Sequence, residues 1–230
     1  MGLIENKFLY SLVLIMSLSF PLIRSFEQKL KFASNIKAIL ISCFIMMMIF
    51  IPWDILFTKI NVWSFNSEYI TGFKIFLLPI EEWMFFIIIP YCCLFIHESL
   101  ILIRGISPIR QKIYVNTSVI VAVMFLVIAI SNNDKYYTFS SFGLASIMLF
   151  LFSFNKYKWF YNFIRTYLFS LIALIVVNGV LTGSFIENEI VSYNENHFMG
   201  YRIFTIPIED TIYCFSMLFI VTGIYEKLKN

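Results

Sequence analysis

Charge is scarce in this chain: of 230 residues only 13% are Asp, Glu, Lys or Arg, against 60% hydrophobic. So little polar surface cannot clothe a water-soluble domain of this length, and the apolar surplus exceeds what one soluble core would bury. The excess must face lipid. Eight glycines and six prolines leave no stretch that reads as a disordered linker. The four cysteines, Cys43, Cys92, Cys93 and Cys214, lie inside apolar runs without C-x-x-C spacing, which argues against a disulfide framework or a zinc site. His97 and His197, the two histidines, fall on opposite sides of the topology derived below, against a histidine metal centre. No G-x-G-x-x-G occurs, so no dinucleotide site is expected. The aspartates are Asp54, Asp134 and Asp210, with no D-D-x-x-D run to hold magnesium and pyrophosphate. No lysine stands between Gly200 and Glu226, where a retinal-binding seven-helix protein would carry its Schiff base. A net charge of +3 spread over short loops gives no nucleic-acid-binding face. The expectation is a protein with no cofactor, no metal and no nucleic-acid partner.

What is present is apolar and aromatic. Nineteen per cent of the residues are Phe, Trp or Tyr, 27 of them Phe. Apolar runs of spanning length, ~17–25 residues, fall near 8–23, 38–57, 79–103, 113–130, 138–154, 163–182 and 204–225, the first and fifth being short. The first has no small-residue cleavage site before Arg24 and is read as a span rather than a signal peptide. The fold class is therefore all-α, a polytopic membrane helical bundle of about seven transmembrane helices. Two connectors, 58–78 and 183–203, are longer than the rest and rich in Asn, Ser, Glu and aromatic residues. Twelve basic residues group on one side (Arg24, Lys29, Lys31, Lys37, Arg104, Arg110, Lys112, Lys156, Lys158, Arg165, Lys227 and Lys229), against five on the other (Lys7, Lys59, Lys74, Lys135 and Arg202). Because cytoplasmic loops hold the excess of Lys and Arg, the amino terminus is expected outside, the carboxyl terminus in the cytoplasm, and both long connectors outside. The localisation this implies is an integral, multi-pass membrane protein, with the bacterial cytoplasmic membrane as its setting.

The chain also repeats itself. GFKIFLLPIEE from Gly72 aligns with GYRIFTIPIED from Gly200 at a constant offset of 128, and Glu98 meets Glu226 at the same offset. DILFT from Asp54 matches NGVLT from Asn178 at a slightly shorter offset. The reading is two parallel three-helix repeats, 1–104 and 133–230, joined by a linker helix in 105–132, since an odd linker span returns the chain to its starting side.

The strongest local motif is P-I-E-[ED], Pro79 to Glu82 and Pro207 to Asp210, each opening a long apolar helix. Proline suits a first helical turn and acids there favour the helix dipole, so ordinary helix starts explain the motif on spacing alone. Against that stands the setting. Trp83, Met84, Phe85 and Phe86 follow one pair, Thr211, Ile212, Tyr213 and Cys214 the other, and acids at the edge of hydrocarbon are costly. Parallel repeats bring both pairs to one depth, where carboxyls in an apolar cavity suit acid–base chemistry: one neutral acid to donate a proton, one ionised partner to accept it. Both readings of Glu81, Glu82, Glu209 and Asp210 stand at this point, and adjacent residues on a helix point ~100° apart, so at most one of each pair faces a cavity centre. Trp53, Trp63, Phe65, Trp83, Phe85 and Tyr213 are aromatic faces within reach that would stabilise a cation by about 0.5–2 kcal/mol each, or serve only as interface belt and packing. Asp54 ends its span beside them, either supporting the acids or solvated. Glu98 and Glu226 lie ~25 Å away at the opposite face.

The P-I-E-[ED] helix starts, the upstream W-x-F-N stretch of Trp63, Phe65 and Asn66, and the three-span repeat together resemble the small membrane lycopene cyclases of the heterodimeric bacterial type and their fungal fused relatives. The resemblance covers nearly the whole chain, one repeat to each subunit of the two-chain form, without the phytoene synthase domain of the fungal proteins. It departs in the second repeat, which has Asp210 for Glu82, Asn178 for Asp54, and no counterpart of Trp63. The resemblance implies cyclisation of the ends of lycopene to β-ionone rings, via γ-carotene to β-carotene, with no net redox change: an intramolecular lyase or isomerase. It implies Glu81, Glu82, Glu209 and Asp210 as catalytic candidates, with Asp54, Trp63, Phe65, Asn66, Trp83, Asn178 and Tyr213 supporting them or binding substrate. The partners implied are lipid-dissolved lycopene, the membrane, and other carotenoid-pathway enzymes. The rival is a small seven-helix transporter, since three-plus-one-plus-three repeats also describe sugar carriers, although transporter sites lie near the bilayer midplane.

Overall fold

The computed structural model describes residues 7–105 and 111–229, all but Gln111 and Lys112 with their side chains. Arg110, counted above with the basic side, lies outside the described residues. Among the described residues run seven helices: α1 (Leu9–Arg24), α2 (Ile36–Lys59), α3 (Ile80–Arg104), α4 (Gln111–Ser131), α5 (Tyr136–Asn155), α6 (Phe160–Leu181) and α7 (Ile208–Leu228). In hydrocarbon every backbone N–H and C=O must be satisfied within its own segment, so long apolar runs have no alternative to helix. All but α1 are long and apolar enough to cross a bilayer, and α1, with 16 residues, is the shorter helix its sequence foretells. The fifth helix is longer than its apolar run of 138–154, because it starts at Tyr136 and so takes in Tyr136 and Tyr137.

The helices within each repeat pack alike, α1 on α3 and α5 on α7. The repeats then interlock: α2 packs against α7 and α6 against α3, while α3 and α7 touch each other. The third helix of each half is thus central, and α7 is the most buried of the spans. The linker α4 leans on α5 and is the least buried. Large side chains such as Phe44, Met48, Ile120, Met124, Phe154 and Ile172 project outward from the bundle. An apolar surface of that extent on a soluble monomer would drive aggregation, whereas lipid solvates it. The chain is a multi-pass membrane protein.

The two long connectors, rich in Asn, Ser, Glu and aromatic residues, contain order of their own. Strands β1 (Trp63–Phe65) and β4 (Val191–Tyr193) pair antiparallel across the repeats, Trp63 opposite Tyr193 and Phe65 opposite Val191. Strands β2 (Lys74–Ile75) and β3 (Leu78–Pro79) make one hairpin, β5 (Arg202–Ile203) and β6 (Ile206–Pro207) its repeat, each leading straight into α3 or α7. Strands of two or three residues are too short for alternation to be seen in sequence. The paired glycines that open each motif have a backbone reason: Gly72 and Gly200 sit at φ 89° and 84°, a region costly for any residue with a Cβ. The N–H of Ile80 then donates to the carbonyl of Phe73 at 2.9 Å, and that of Ile208 to Tyr201 at 3.0 Å. Pro79 and Pro207, expected in the first helical turn, stand one residue ahead of it as extended N-cap residues, because each also closes its hairpin.

Candidate active site

Each hairpin delivers its helix start into the bundle with the acids already below the loops. Side chains at successive helical positions diverge by ~100°, and the two acids of each motif divide accordingly. Glu82 and Asp210 turn toward the centre, where they line one buried cavity together with Asp54 of α2. Glu81 and Glu209 turn away from it and take up the loops. Oε1 of Glu81 accepts from the N–H of Thr71 at 2.8 Å and from the Ser11 hydroxyl at 3.2 Å. Oε1 of Glu209 accepts from the N–H of Met199 at 2.9 Å and from the Thr138 hydroxyl at 2.6 Å. Both carboxyls are fully buried, and each fastens a connector and the first helix of its repeat to the third.

The inward acids are held by hydroxyls that the sequence reading did not single out. Tyr10 of α1 donates to Oε2 of Glu82 at 2.6 Å, and Tyr137 of α5 donates to Oδ1 of Asp210 at 2.7 Å. Tyr193 of β4 adds a bond to Oδ2 of Asp210 at 3.1 Å. Burial, and then the charge of Asp210, push the Tyr193 hydroxyl well above its ordinary value, so it stays a proton-bearing donor. A signal was available: Tyr10–Ser11 recurs as Tyr137–Thr138 at an offset of 127, one short of the motif's own, so each repeat supplies a hydroxyl pair for its acid pair.

Of the remaining candidates, Trp63, Phe65, Asn178 and Tyr213 line the cavity. Trp63 donates its Nε1–H to Oδ1 of Asp54 at 2.6 Å, and Asn178 donates to Oδ2 of Asp210 at 3.0 Å. Asn66 and Trp83 do not line it. Asn66 pins the connector, accepting from the N–H of Glu68 and donating its own to Ile190, and Trp83 donates to the carbonyl of Ile75 in the hairpin. Trp63 lacks a counterpart in sequence, but the strand pairing sets Tyr193 opposite it, and each donates to the aspartate of its own half. Around the acids the rings interlock edge to face, Trp63 with Tyr137 at 5.2 Å and with Tyr213 at 6.4 Å between centroids, and Tyr213 with Trp53 at 5.0 Å. The result is carboxyl groups in an aromatic cage of about 60 Å³, walled on the loop side by β1 and β4.

The model of the family described as lycopene cyclase matches residues 7–100 and 134–228, the two halves on either side of the linker helix. The chain belongs to the lycopene cyclase family. Among curated proteins, the bifunctional lycopene cyclase/phytoene synthase of Pyrenophora tritici-repentis (strain Pt-1C-BFP) is 36% identical over 67 residues, which is 29% of this chain and 11% of that protein. No solved structure matches.

This member of the lycopene cyclase family also carries a second polar cluster, at the opposite end of the bundle. The buried His97 of α3 contacts Thr166 of α6 through Nδ1 and Glu226 of α7 through Nε2, both at 2.7 Å. Glu98 and Glu226 share the ammonium of Lys229, at 2.8 and 2.7 Å. His97, Glu98 and Glu226 have the proximity of metal ligands, but Lys229 already occupies the place a cation would take. The cluster ties the third helices of the two halves together far from the aromatic cage.

Proposed function

We propose that this chain is a lycopene β-cyclase that closes the acyclic ends of lycopene through γ-carotene to β-carotene by redox-neutral acid–base catalysis. Family membership supports the carotenoid chemistry, and the observation that carries the mechanism is the convergence of Glu82, Asp210 and Asp54 on one buried aromatic cavity. A proton delivered to the terminal double bond gives a tertiary cation. The neighbouring double bond attacks it, closing the ring and moving the cation into it, and loss of a ring proton to a carboxylate restores neutrality. One proton enters and one leaves.

The hydrogen bonds support a division of roles. Asp210 accepts from three donors, Tyr137, Asn178 and Tyr193, and this fuller array suits the carboxyl group that faces a cation. Asp210 therefore stabilises the cation and receives the ring proton. Glu82 accepts from Tyr10 and, with Asp54 in the same cavity, supplies the acid. Trp63, Tyr213 and Tyr137 present the ring faces that attract a passing cation, a contribution of about 0.5–2 kcal/mol each. Glu81 and Glu209 act as anchors of the loops over the cavity.

The repeats on this reading are 1–104 and 133–230 around a linker in 105–132, with the connectors and the amino terminus outside and the carboxyl terminus in the cytoplasm, following the basic-residue excess. Expression in a lycopene-accumulating bacterium tests the function: β-carotene, with γ-carotene as intermediate, is expected on chromatography. Lycopene persisting unchanged while the protein accumulates in the membrane overturns it, and ε-ring products overturn the β assignment alone.

A further inference from the structure

A second cavity, larger and apolar, opens between α1, α3 and α6. It measures about 510 Å³ and is lined by residues such as Phe20 of α1, Ile96 of α3 and Ala173 of α6, a volume within the ~300–1,000 Å³ of ligand sites. Its lining is mostly apolar, and two of its polar groups are already engaged: the Ser17 hydroxyl bonds the carbonyl of Val13 at 2.7 Å, and the Cys92 thiol lies 3.5 Å from the carbonyl of Ser17, while Ser170 Oγ and Asn178 Oδ1 have no hydrogen-bond partner among the described residues. Its flank is open to the bilayer, where Phe20, Ile172 and Val176 are exposed.

The groove and the acid cavity share a wall. Ile89, Leu174, Asn178 and Cys214 line both. On α3 the positions Glu82, Ile89 and Ile96 follow one another at intervals of seven, and on α6 Ser170, Leu174, Asn178 and Leu181 recur at three or four, so one face of each helix runs from groove to acids. From Ile96 to Glu82 that face is ~21 Å long at 1.5 Å per residue. The aromatic cage itself, at about 60 Å³, has room for an end group only as side chains of the shared wall give way, and none for a long chain.

We propose that this groove is the binding channel for the polyene of an acyclic carotenoid, entered sideways from the bilayer, with Leu174, Ile89 and Cys214 forming the threshold across which one end reaches Glu82 and Asp210. The proposal rests on the cyclase reading above and adds to it where the substrate lies and how it arrives. A rigid apolar molecule dissolved in lipid needs a largely apolar slot that opens to the membrane and leads toward the acids, and the groove has an apolar lining, a lipid-facing flank and a wall shared with the acid cavity. A phospholipid acyl chain shares the apolar chemistry, and the experiment separates the two.

Ala173 is exposed on the groove wall, so Ala173→Trp fills the slot without entering the core. The purified protein in detergent is titrated with lycopene and followed by the circular dichroism that a carotenoid acquires when held in a chiral site, and the same variants are scored for pigment in the lycopene-accumulating host. Wild type and Glu82→Gln are expected to bind, Ala173→Trp to lose binding and cyclisation by about tenfold or more, and Met124→Trp, on the exposed face of α4, to lose neither. Ile96→Trp, on the far wall, replaces Ala173→Trp if the latter fails to melt cooperatively. An Ala173→Trp protein that binds and cyclises like wild type overturns the channel while leaving the cyclase reading intact. Binding abolished by Ala173→Trp in a protein that never cyclises lycopene overturns the cyclase reading and keeps the channel. A groove that holds co-purified phospholipid in native mass spectra and gives no lycopene signal overturns the polyene as occupant.

Discussion

The Tyr10 hydroxyl lies 2.6 Å from Oε2 of Glu82 and donates to it across the interface between the first and third helices of one repeat. The same bond recurs in the other repeat from Tyr137 to Asp210 at 2.7 Å. Around this shared element the halves differ. The first has an aspartate, Asp54, where the second has Asn178, and the asparagine spends its amide on Asp210. A buried cavity holding three acids instead of four avoids one further like charge, and one of the three is left with more donors than the others.

The hydroxyl bonds are expected to matter to rate. Tyr10→Phe removes the donor seen on Glu82, and a hydrogen bond to a charged or reacting acid is worth ~1.5–3 kcal/mol, so cyclisation is expected to slow about 10- to 100-fold. Tyr137→Phe leaves Asp210 with Asn178 and Tyr193 and is expected to slow it less. Initial rates of β-carotene formation in membranes from matched expression cultures measure both, and equal rates for the three proteins contradict the assignment.

The adjacent acids of each motif are expected to part company. Glu82→Gln and Asp210→Asn remove the proposed proton donor and acceptor and are expected to slow cyclisation ~10²–10⁴-fold in a protein that still accumulates. Glu81→Gln and Glu209→Gln weaken the bonds to Thr71 and Met199 and are expected to lower stability by ~1–3 kcal/mol while the pigment product stays the same. Melting in detergent and pigment chromatography, run on all four, tell the pairs apart.

Asn178→Asp tests the inequality of the halves. It restores the residue of the first repeat but replaces a donor to Asp210 with a like charge. Lower cyclisation and a lower melting temperature are expected; an unchanged rate shows that the amide does not serve Asp210.

The ladder between the connectors is open to a backbone test. Ser64 faces Ser192 between the bonds that Asn66 and Asn194 donate to Ile190 and Val62, and proline there removes a ladder donor. Ser64→Pro is expected to free Trp63 and Tyr193 from Asp54 and Asp210 and so depress cyclisation, whereas Ser64→Ala is expected to be silent. Product ratios from the two variants decide it.

At the far end, Glu98→Gln is expected to leave the product unchanged, since its partner is Lys229 and not the cavity. His97→Ala breaks the links to Thr166 and Glu226 and is expected to lower the melting temperature without altering the ring formed. A changed product from Glu98→Gln places chemistry at that end of the bundle.

The sequence by itself determined the membrane class, the number of helices and the internal duplication, because hydrocarbon allows few backbone solutions and twenty apolar residues leave little choice among them. It also marked Pro79–Glu82 and Pro207–Asp210, since a motif repeated at a fixed offset is visible without any structure. Which acid of each pair faces inward was not legible: Glu81 and Glu82 are one residue apart, and the rotation of α3 about its axis is set by its packing on α1, α2 and α6. Tyr10 and Tyr137 were hidden for a related reason, as tyrosines near helix starts look like interface belt until the third helix of the same repeat is laid against them. Asn66 and Trp83 carry the local pattern of site residues, yet their bonds go to the backbone of Glu68, Ile190 and Ile75. The pairing of Trp63 with Tyr193, 130 positions apart, required the two halves to be docked, because a three-residue strand takes its partner from tertiary contact and not from its own composition.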